Sequence, residues 1–394
     1  MELKESDLAE VIFSDTTLRD GEQMPGASLR PAEKVLIAKA LADIGIKSID
    51  AGFPICAKSE TEAIRRIVRE VEGPVISALS RTLRSDIDAA YAALSEAPPN
   101  RRAVSLFVST SPLHREFKLN KTKAELIKII TDSIEYARRF FHLVAFAPED
   151  ASNTELAFLC EVYTEAIAAG ATTIGFPDTL GILTPERVRE FIRHLQDNVR
   201  DINRTPLACH FHNDLGLATA NTLAAVAEGV RIVQCTVNGI GERAGNTSFE
   251  EVVMALHLNR EQYRRRHSID TTKLTALSRL VEKLTGVPVS PNKAVVGSNV
   301  FATEAGIHQD GMMKHPETYV PFPPGMVGAE KIQFVLGKHS GRAAISARLK
   351  ELGFELTGNQ LELVIEQVRE AGKSDWANDK VLLAQAVERV SSGS

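Results

Sequence analysis

Residues 206–216 read PLACHFHNDLG and contain one complete β/α transition. The run 206–209 is apolar, as expected of a buried strand, and 213–216 is typical of an exit into a helix. His210 and His212 stand between them, and their spacing of two places both side chains on one face of a strand. The stretch therefore predicts a strand that presents two imidazoles at its carboxyl end.

Similar apolar runs alternate with amphipathic helical stretches from about residue 11 to residue 260. Eight such β/α units in about 250 residues predict an α/β fold, a (β/α)8 TIM barrel. The runs predicted as strands are 11–14, 48–51, 75–78, 104–108, 143–146, 173–176, 206–209 and 232–235.

The pattern changes after residue 270, where a proline- and glycine-rich segment leads into a helical tail from about residue 341 to 389. We therefore predict a catalytic barrel domain over residues 1–270. Residues 271–394 are expected to form a linker and a mostly helical extension that packs on the barrel mouth or on a partner.

Composition excludes several classes of partner. The chain has 394 residues, 44% hydrophobic and 25% charged, which is ordinary for a soluble globular protein. Its net charge of -5 argues against binding to nucleic acid or to an anionic membrane. The sequence has no long apolar segment and no signal-peptide pattern, and its four scattered cysteines are typical of a reduced, cytoplasmic protein.

In a TIM barrel, functional side chains gather at the carboxyl ends of the strands. Asp20 follows the first predicted strand, so its carboxylate can meet His210 and His212 there. Two histidines and one carboxylate form a facial divalent-metal site with open positions for substrate. Mg²⁺, Mn²⁺ and Zn²⁺ all accept such ligands, and Asn246 offers a further oxygen.

A metal at this point could chelate a 2-oxo acid through its ketone and carboxylate oxygens, with Arg19 neutralising charge that develops on the ketone oxygen. Glu242 and Arg243 lie in the glycine-rich run GIGERAGN, where they could polarise an acyl group or pair with each other. His308 and Tyr319, in the C-terminal segment, are either proton-transfer groups or structural residues.

The chain resembles the DRE-TIM metallolyase superfamily, and within it the acetyl-CoA-condensing branch of isopropylmalate, homocitrate and citramalate synthases. The 2-isopropylmalate synthase family is the most similar. The motifs that support this resemblance span about residues 11–340 and are DTTLRDGEQ, STSPLH, APED, FPDTLG, HFHNDLG, NGIGERAGN and GIHQDG.

The resemblance implies a Claisen-type condensation of acetyl-CoA with a 2-oxo acid in a homodimer with shared active sites. His308 and Tyr319 would act on the partner's barrel, and His308 and Glu149 are both possible bases. The implied metal ligands are Asp20, His210, His212 and Asn246. The implied catalytic groups are Arg19, Glu149, His308 and Tyr319. The implied substrate-binding residues are Arg19, Leu79, His114, Ala147, Gly175, Pro177, Thr179, Glu242 and Arg243.

Two departures from the family pattern concern the 2-oxo acid pocket. Ala147 stands where familiar isopropylmalate synthases have serine, and Gly175 where they have asparagine. The pocket is therefore expected to be larger and more apolar, with 2-oxoisovalerate as the default substrate and bulkier acids as alternatives. The chain also ends before the C-terminal regulatory domain of leucine-regulated members could form, so weak inhibition by leucine is expected.

Other functions remain open at this point. Benzylmalate, homocitrate and citramalate synthases differ from the default only in the 2-oxo acid they accept, such as phenylpyruvate for the first. A metal-dependent carbon–carbon lyase of the hydroxymethylglutaryl-CoA lyase type is the alternative from another class. Such lyases use a cysteine in the loop after the eighth strand, whereas the run NGIGERAGNTSFE contains none.

Overall fold

The computed structural model describes residues 8–336, 339–370 and 379–392. Eight parallel strands form a closed barrel in chain order, and the last strand pairs with the first. The predicted TIM barrel is therefore confirmed. Its strands are β1 (Ile12–Asp15), β2 (Ser48–Asp50), β3 (Val75–Arg81), β4 (Arg102–Ser109), β5 (Leu143–Glu149), β6 (Thr173–Asp178), β7 (Leu207–Phe211) and β8 (Ile232–Cys235).

Helices follow the barrel strands, as the amphipathic stretches predict. The helices of the barrel part are α1 (Pro31–Ile44), α2 (Lys58–Glu70), α3 (Arg84–Leu94), α4 (Lys123–Ala137), α5 (Leu156–Ala168), α6 (Pro185–Asn198), α7 (Ala218–Ala227), α8 (Phe249–Leu258), α9 (Arg260–Tyr263) and α10 (Leu274–Thr285). Those of the C-terminal part are α11 (Gly306–Lys314), α12 (Arg342–Glu351), α13 (Gly358–Glu370) and α14 (Asp379–Ser392).

Local sequence explains how strand and helix meet at the functional end. Helix α6 begins where predicted, because the Thr184 side chain accepts a hydrogen bond from Arg187 N and Pro185 occupies the first helical position. The ring of Phe176 in β6 packs 5.4 Å from that of Phe191 in α6. Since side chains alternate along a strand, this outward packing directs Gly175 toward the barrel interior.

The chain divides into two compact units after Val289. This division lies further along the chain than the change of sequence pattern at residue 270, because α10 packs against α1 within the first unit. The second unit has its own apolar core, with Ile345, Val364 and Leu383 fully or almost fully buried. It also contains a parallel pairing of Ala302–Thr303 with Gln333–Phe334.

Nothing in the described part of the chain has the length and apolarity of a bilayer-spanning helix.

Candidate active site

Three residues predicted as metal ligands meet at the carboxyl end of the barrel. One potential ligand atom from each of Asp20, His210 and His212 lies within 4.8 Å of the others, and all three residues are buried. The two histidine Nε2 atoms are 3.3 Å apart, and His210 Nε2 is 3.3 Å from Asp20 Oδ2. The i, i+2 spacing therefore brings both imidazoles to one point, as predicted.

The electrostatic environment favours the protonation states that bind a cation. Burial and the neighbouring His210 lower the pKa of His212 to about 4. Burial acts to raise the pKa of Asp20, but Arg19 and His210 outweigh it, so this pKa lies well below its usual range. At neutral pH the site thus holds an ionised carboxylate and a neutral imidazole, both competent metal ligands.

Two buried oxygens at the site lack a donor. Asp20 Oδ1 and Asn246 Oδ1 have no hydrogen-bond partner within the described residues. Asn246 forms an isolated antiparallel bridge with His212, which ties the β8–α8 loop to the end of β7. Buried acceptors without donors are costly, and a divalent cation is one group that satisfies them. These residues therefore fit a bound metal.

Close backbone approach shapes the loop that contains Asn246. A Cβ on Gly241 would lie 2.3 Å from Asn246 Nδ2, and one on Gly245 would lie 2.1 Å from Gly239 O. Gly245 also has a φ of +89°, which disfavours other residues. The glycines of GIGERAGN are thus explained by the packing of this loop.

Arg19 bridges the carboxylates of Asp20 and Asp50. Its Nη1 donates to Asp20 Oδ2 and its Nε to Asp50 Oδ2, each at 2.8 Å. Burial disfavours the charge of Arg19, but Asp50 and Asp20 outweigh that effect and raise its pKa. Only 13% of its side chain is exposed. Arg19 is therefore a fixed cation at the edge of the cavity.

Glu242 and Arg243 form a long ion pair with each other, as one sequence-based alternative predicts, but Arg243 makes its shorter contacts elsewhere. Arg243 donates to both oxygens of Asp214, at 2.8 and 2.9 Å, and to Thr179 O at 2.7 Å. Its distance to Glu242 is 3.8 Å. Arg243 thus connects the loops after β6, β7 and β8, while Glu242 lines the adjacent cavity.

Glu149 is engaged by partners that sequence analysis did not identify. The Lys118 ammonium lies 2.8 Å from both carboxylate oxygens, and the Ser109 hydroxyl also bonds to this carboxylate. Lys118 belongs to a π-helical turn, His114–Leu119, in the loop after β4. The sequence run SPLHREFKL gives no sign of this turn, although π-helical turns often occur at functional sites.

A cavity of about 250 Å³ opens beside these groups. The predicted site residues that line it are Arg19, Asp20, Leu79, Ala147, Glu149, Gly175, Pro177, Thr179, His210, His212 and Glu242. The lining residues that were not predicted are Gln23, Phe107, Phe176 and Gln234. Polar and ionisable side chains form part of this lining, and Leu79, Phe107, Ala147 and Gly175 form its apolar wall.

Five predicted site residues are not among those that line this cavity. In the barrel unit these are His114, Arg243 and Asn246; His114 is half-buried, and its Nδ1 lacks a partner within the described residues. His308 and Tyr319 belong to the second unit, where their rings stack at 4.0 Å.

Comparison with known proteins supports the predicted fold and the predicted family. A family model described as HMGL-like matches residues 10–281, and one described as homocitrate synthase post-HMGL domain-like matches residues 295–375. Solved structures of hydroxymethylglutaryl-CoA lyases share the fold. That of Bacillus subtilis has a TM-score of 0.61 at 19% identity, covering 71% of this chain and 95% of the lyase. That of Pseudomonas aeruginosa has a TM-score of 0.61 at 20% identity, covering 72% and 96%.

Curated relatives are much more similar in sequence. The 2-isopropylmalate synthase of Pyrococcus furiosus is 47% identical, over 90% of this chain and 71% of the relative. That of Rhodopirellula baltica is 46% identical, over 96% and 71%. That of Stenotrophomonas maltophilia is 48% identical, over 90% and 68%. The chain therefore belongs to the HMGL-like family, in the group of the 2-isopropylmalate synthases.

Proposed function

We propose that this protein is a metal-dependent enzyme that condenses acetyl-CoA with an apolar 2-oxo acid, giving a 2-alkylmalate and CoA. The decisive observation is that Asp20, His210 and His212 meet beside Arg19 in the lining of a cavity that also has an apolar wall. The similarity to relatives named 2-isopropylmalate synthase supports the same reaction.

The reaction forms one carbon–carbon bond and breaks one thioester. A base removes a proton from the acetyl methyl group, and the methyl carbon then bonds to the ketone carbon of the 2-oxo acid. Water cleaves the thioester, and CoA leaves as its thiol. A divalent cation bound by Asp20, His210 and His212 would supply Lewis-acid polarisation of the ketone.

The chain's own groups support the other steps. Arg19 lines the cavity and can stabilise negative charge as it develops on the ketone oxygen. The Thr179 hydroxyl accepts from Asp150 N at 2.9 Å, which leaves its proton available to a substrate carboxylate. Both oxygens of Glu149 are occupied by Lys118, which favours His308 as the group that takes the methyl proton.

The apolar wall supports a monocarboxylic substrate. Arg19 is the one Lys or Arg side chain among the described residues that line the cavity, and it is already paired with Asp20 and Asp50. A second substrate carboxylate, as in 2-oxoglutarate, would be desolvated against Leu79 and Phe107 without a dedicated cation. We therefore propose 2-oxoisovalerate or a bulkier apolar 2-oxo acid.

Thiol release from acetyl-CoA tests this function. We expect kcat/KM for 2-oxoisovalerate or phenylpyruvate to exceed that for 2-oxoglutarate by about 100-fold or more, because an unpaired carboxylate is costly in an apolar site. Pyruvate is the fourth 2-oxo acid in this substrate panel. In a separate assay, metal-stripped protein is reconstituted with Mg²⁺, Mn²⁺ or Zn²⁺, and the ion that restores activity is identified. Preference for 2-oxoglutarate would contradict the substrate class and favour a homocitrate synthase.

The variant Gly175→Ala tests whether the substrate side chain lies against the apolar wall. A Cβ on Gly175 would lie 3.0 Å from Ala147 Cβ, so Gly175→Ala narrows the pocket there. We expect kcat/KM to fall about 10-fold for phenylpyruvate and much less for pyruvate. Equal losses with both acids would mean that the bulky side chain does not lie against this wall. Cleavage of a hydroxymethylglutaryl thioester without condensation would instead favour the lyase function.

Exposed apolar side chains support a homodimer that covers the barrel mouth. Large hydrophobic residues with at least 40% exposure occur in the loops after β2, β3, β4, β6 and β7, namely Ile55, Leu83, Leu113, Phe117, Leu180, Ile182 and Leu215. The second unit exposes Ile307 at 80% and Tyr319 at 47%. Such surfaces typically mark protein interfaces.

The four free cysteines support the proposed cytoplasmic location.

Complementation tests shared active sites. We expect His212→Ala and His308→Ala homodimers each to be inactive, because one lacks a metal ligand and the other the proposed base. After subunit exchange at equal amounts, about a quarter of wild-type activity should return, because half the dimers are mixed and each has one intact site. Mixed dimers without activity would show that each site uses groups of one chain.

A further inference from the structure

Lys34 is a fully buried lysine that lies outside the proposed active site. It belongs to α1, only 1% of its side chain is exposed, and it does not line the cavity. Its ammonium contacts Glu22 Oε2 at 2.5 Å, Glu60 Oε1 at 2.6 Å and Leu18 O at 2.9 Å. Three acceptors match the three donors of an ammonium group, so its hydrogen-bonding capacity is fully used.

These contacts surround the short segment that contains Arg19 and Asp20. Leu18 directly precedes Arg19, and Glu22 follows Asp20 by two residues. The second oxygen of Glu22 accepts a hydrogen bond from Leu29 N at 2.7 Å, which holds the far end of the same loop. Lys34 therefore fixes this loop on both sides of the pair Arg19–Asp20.

The same ammonium reaches the loop after β2. Glu60 Oε2 accepts from Phe53 N at 3.3 Å, and a Cβ on Gly52 would lie 2.2 Å from this oxygen. Gly52 is two residues beyond Asp50, the second carboxylate that binds Arg19. Lys34 thus connects the two loops whose carboxylates hold the Arg19 guanidinium.

We propose that Lys34 is a positioning residue that sets the geometry of Arg19 and Asp20. The effect expected on catalysis rests on the proposed function, whereas the effect expected on the backbone around Arg19 and Asp20 does not. A buried ion-pair cluster often contributes little net stability compared with apolar groups of similar volume. Its contacts on both sides of Arg19 and Asp20 are explained if it fixes the backbone that presents them.

Hydrogen exchange measures this role without metal or substrate. The amides of Asp20 and Gly21 both bond to Thr16 O, at 2.8 and 3.1 Å. In Lys34→Met we expect exchange in a peptide covering residues 16–24 to accelerate at least about 10-fold, while barrel peptides outside this segment and outside the loop after β2 keep their protection. Lys39→Met is the control, because Lys39 lies on the same helix in an exposed pair with Glu70 at 2.8 Å.

Mn²⁺ binding, followed by electron paramagnetic resonance of the free ion, is the second measurement. Lys34→Met should weaken Mn²⁺ binding about 10–100-fold and lower kcat more than it changes KM, whereas Lys39→Met should alter neither. The triple variant Lys34→Met/Glu22→Gln/Glu60→Gln removes all three charges. It replaces Lys34→Met in both measurements if the single variant does not fold. Wild-type exchange and Mn²⁺ affinity in a folded variant would overturn the proposal. Wild-type protein that binds no Mn²⁺ would refute the metal site, while the exchange result would still decide the role of Lys34.

Discussion

Replacing His212 with alanine is expected to lower kcat by about 1000-fold or more, because the polarising cation loses a ligand. His210→Ala and Asp20→Ala should have effects of the same size, since one atom from each residue lies within 4.8 Å of the others. The measurements are metal content by mass spectrometry and thiol release with acetyl-CoA and 2-oxoisovalerate.

Cys209→Ala is the matched control for these variants. Cys209 lies in β7 directly before His210, is buried, and points to the opposite face of the strand by alternation. The Cys209→Ala protein should be somewhat less stable, because alanine fills less of the buried volume. It should keep its metal content and its kcat. A folded His212→Ala protein with wild-type metal content and turnover would refute the assignment of the metal ligands.

The barrel could be predicted because its signals are local. Each strand is an apolar run of a few residues and each helix begins at recognisable residues, such as Thr184 and Pro185 before α6. The convergence of Asp20, His210 and His212 could be predicted from the i, i+2 spacing of the two histidines and from the rule that barrel sites form at the carboxyl ends of strands.

What sequence analysis missed depends on contacts between distant segments. Lys118 contacts Glu149 across 31 positions, and Arg243 contacts Asp214 across 29. No local periodicity records such pairs. Lys34 looks like an ordinary helix lysine in sequence, and only the packing of α1 against α2 shows that it is buried.

Sequence analysis also failed to identify some of the residues that line the cavity, for a different reason. Strand alternation places Phe107 of β4 on the same face as Ser105, but one serine in the otherwise apolar run 104–108 is too weak a signal to identify the interior face. Gln234 of β8 was the clearer signal, because a polar residue inside a buried strand needs a polar destination.

Arg19→Met is expected to affect both stability and turnover. Asp20 and Asp50 are 2% and 4% exposed, so in the metal-free protein removal of their shared cation leaves Asp50 without its cation and Asp20 with only His210, at 3.3 Å. We expect the free energy of unfolding to fall by about 3–5 kcal/mol, as when one partner of a buried ion pair is deleted. We also expect kcat to fall by about 100–1000-fold, because charge on the ketone oxygen loses its counter-ion.

The double variant Arg19→Met/Asp50→Asn separates these two effects. Burial already raises the pKa of Asp50 in spite of Arg19, so a neutral side chain at this position removes much of the electrostatic cost. Urea unfolding should show recovery of most of the lost stability, whereas thiol release should remain as low as in Arg19→Met. Asp50→Asn alone is the control and should keep substantial activity, because Arg19 retains its bond to Asp20. Recovery of turnover together with stability in the double variant would mean that Arg19 only balances buried charge and does not act on the substrate.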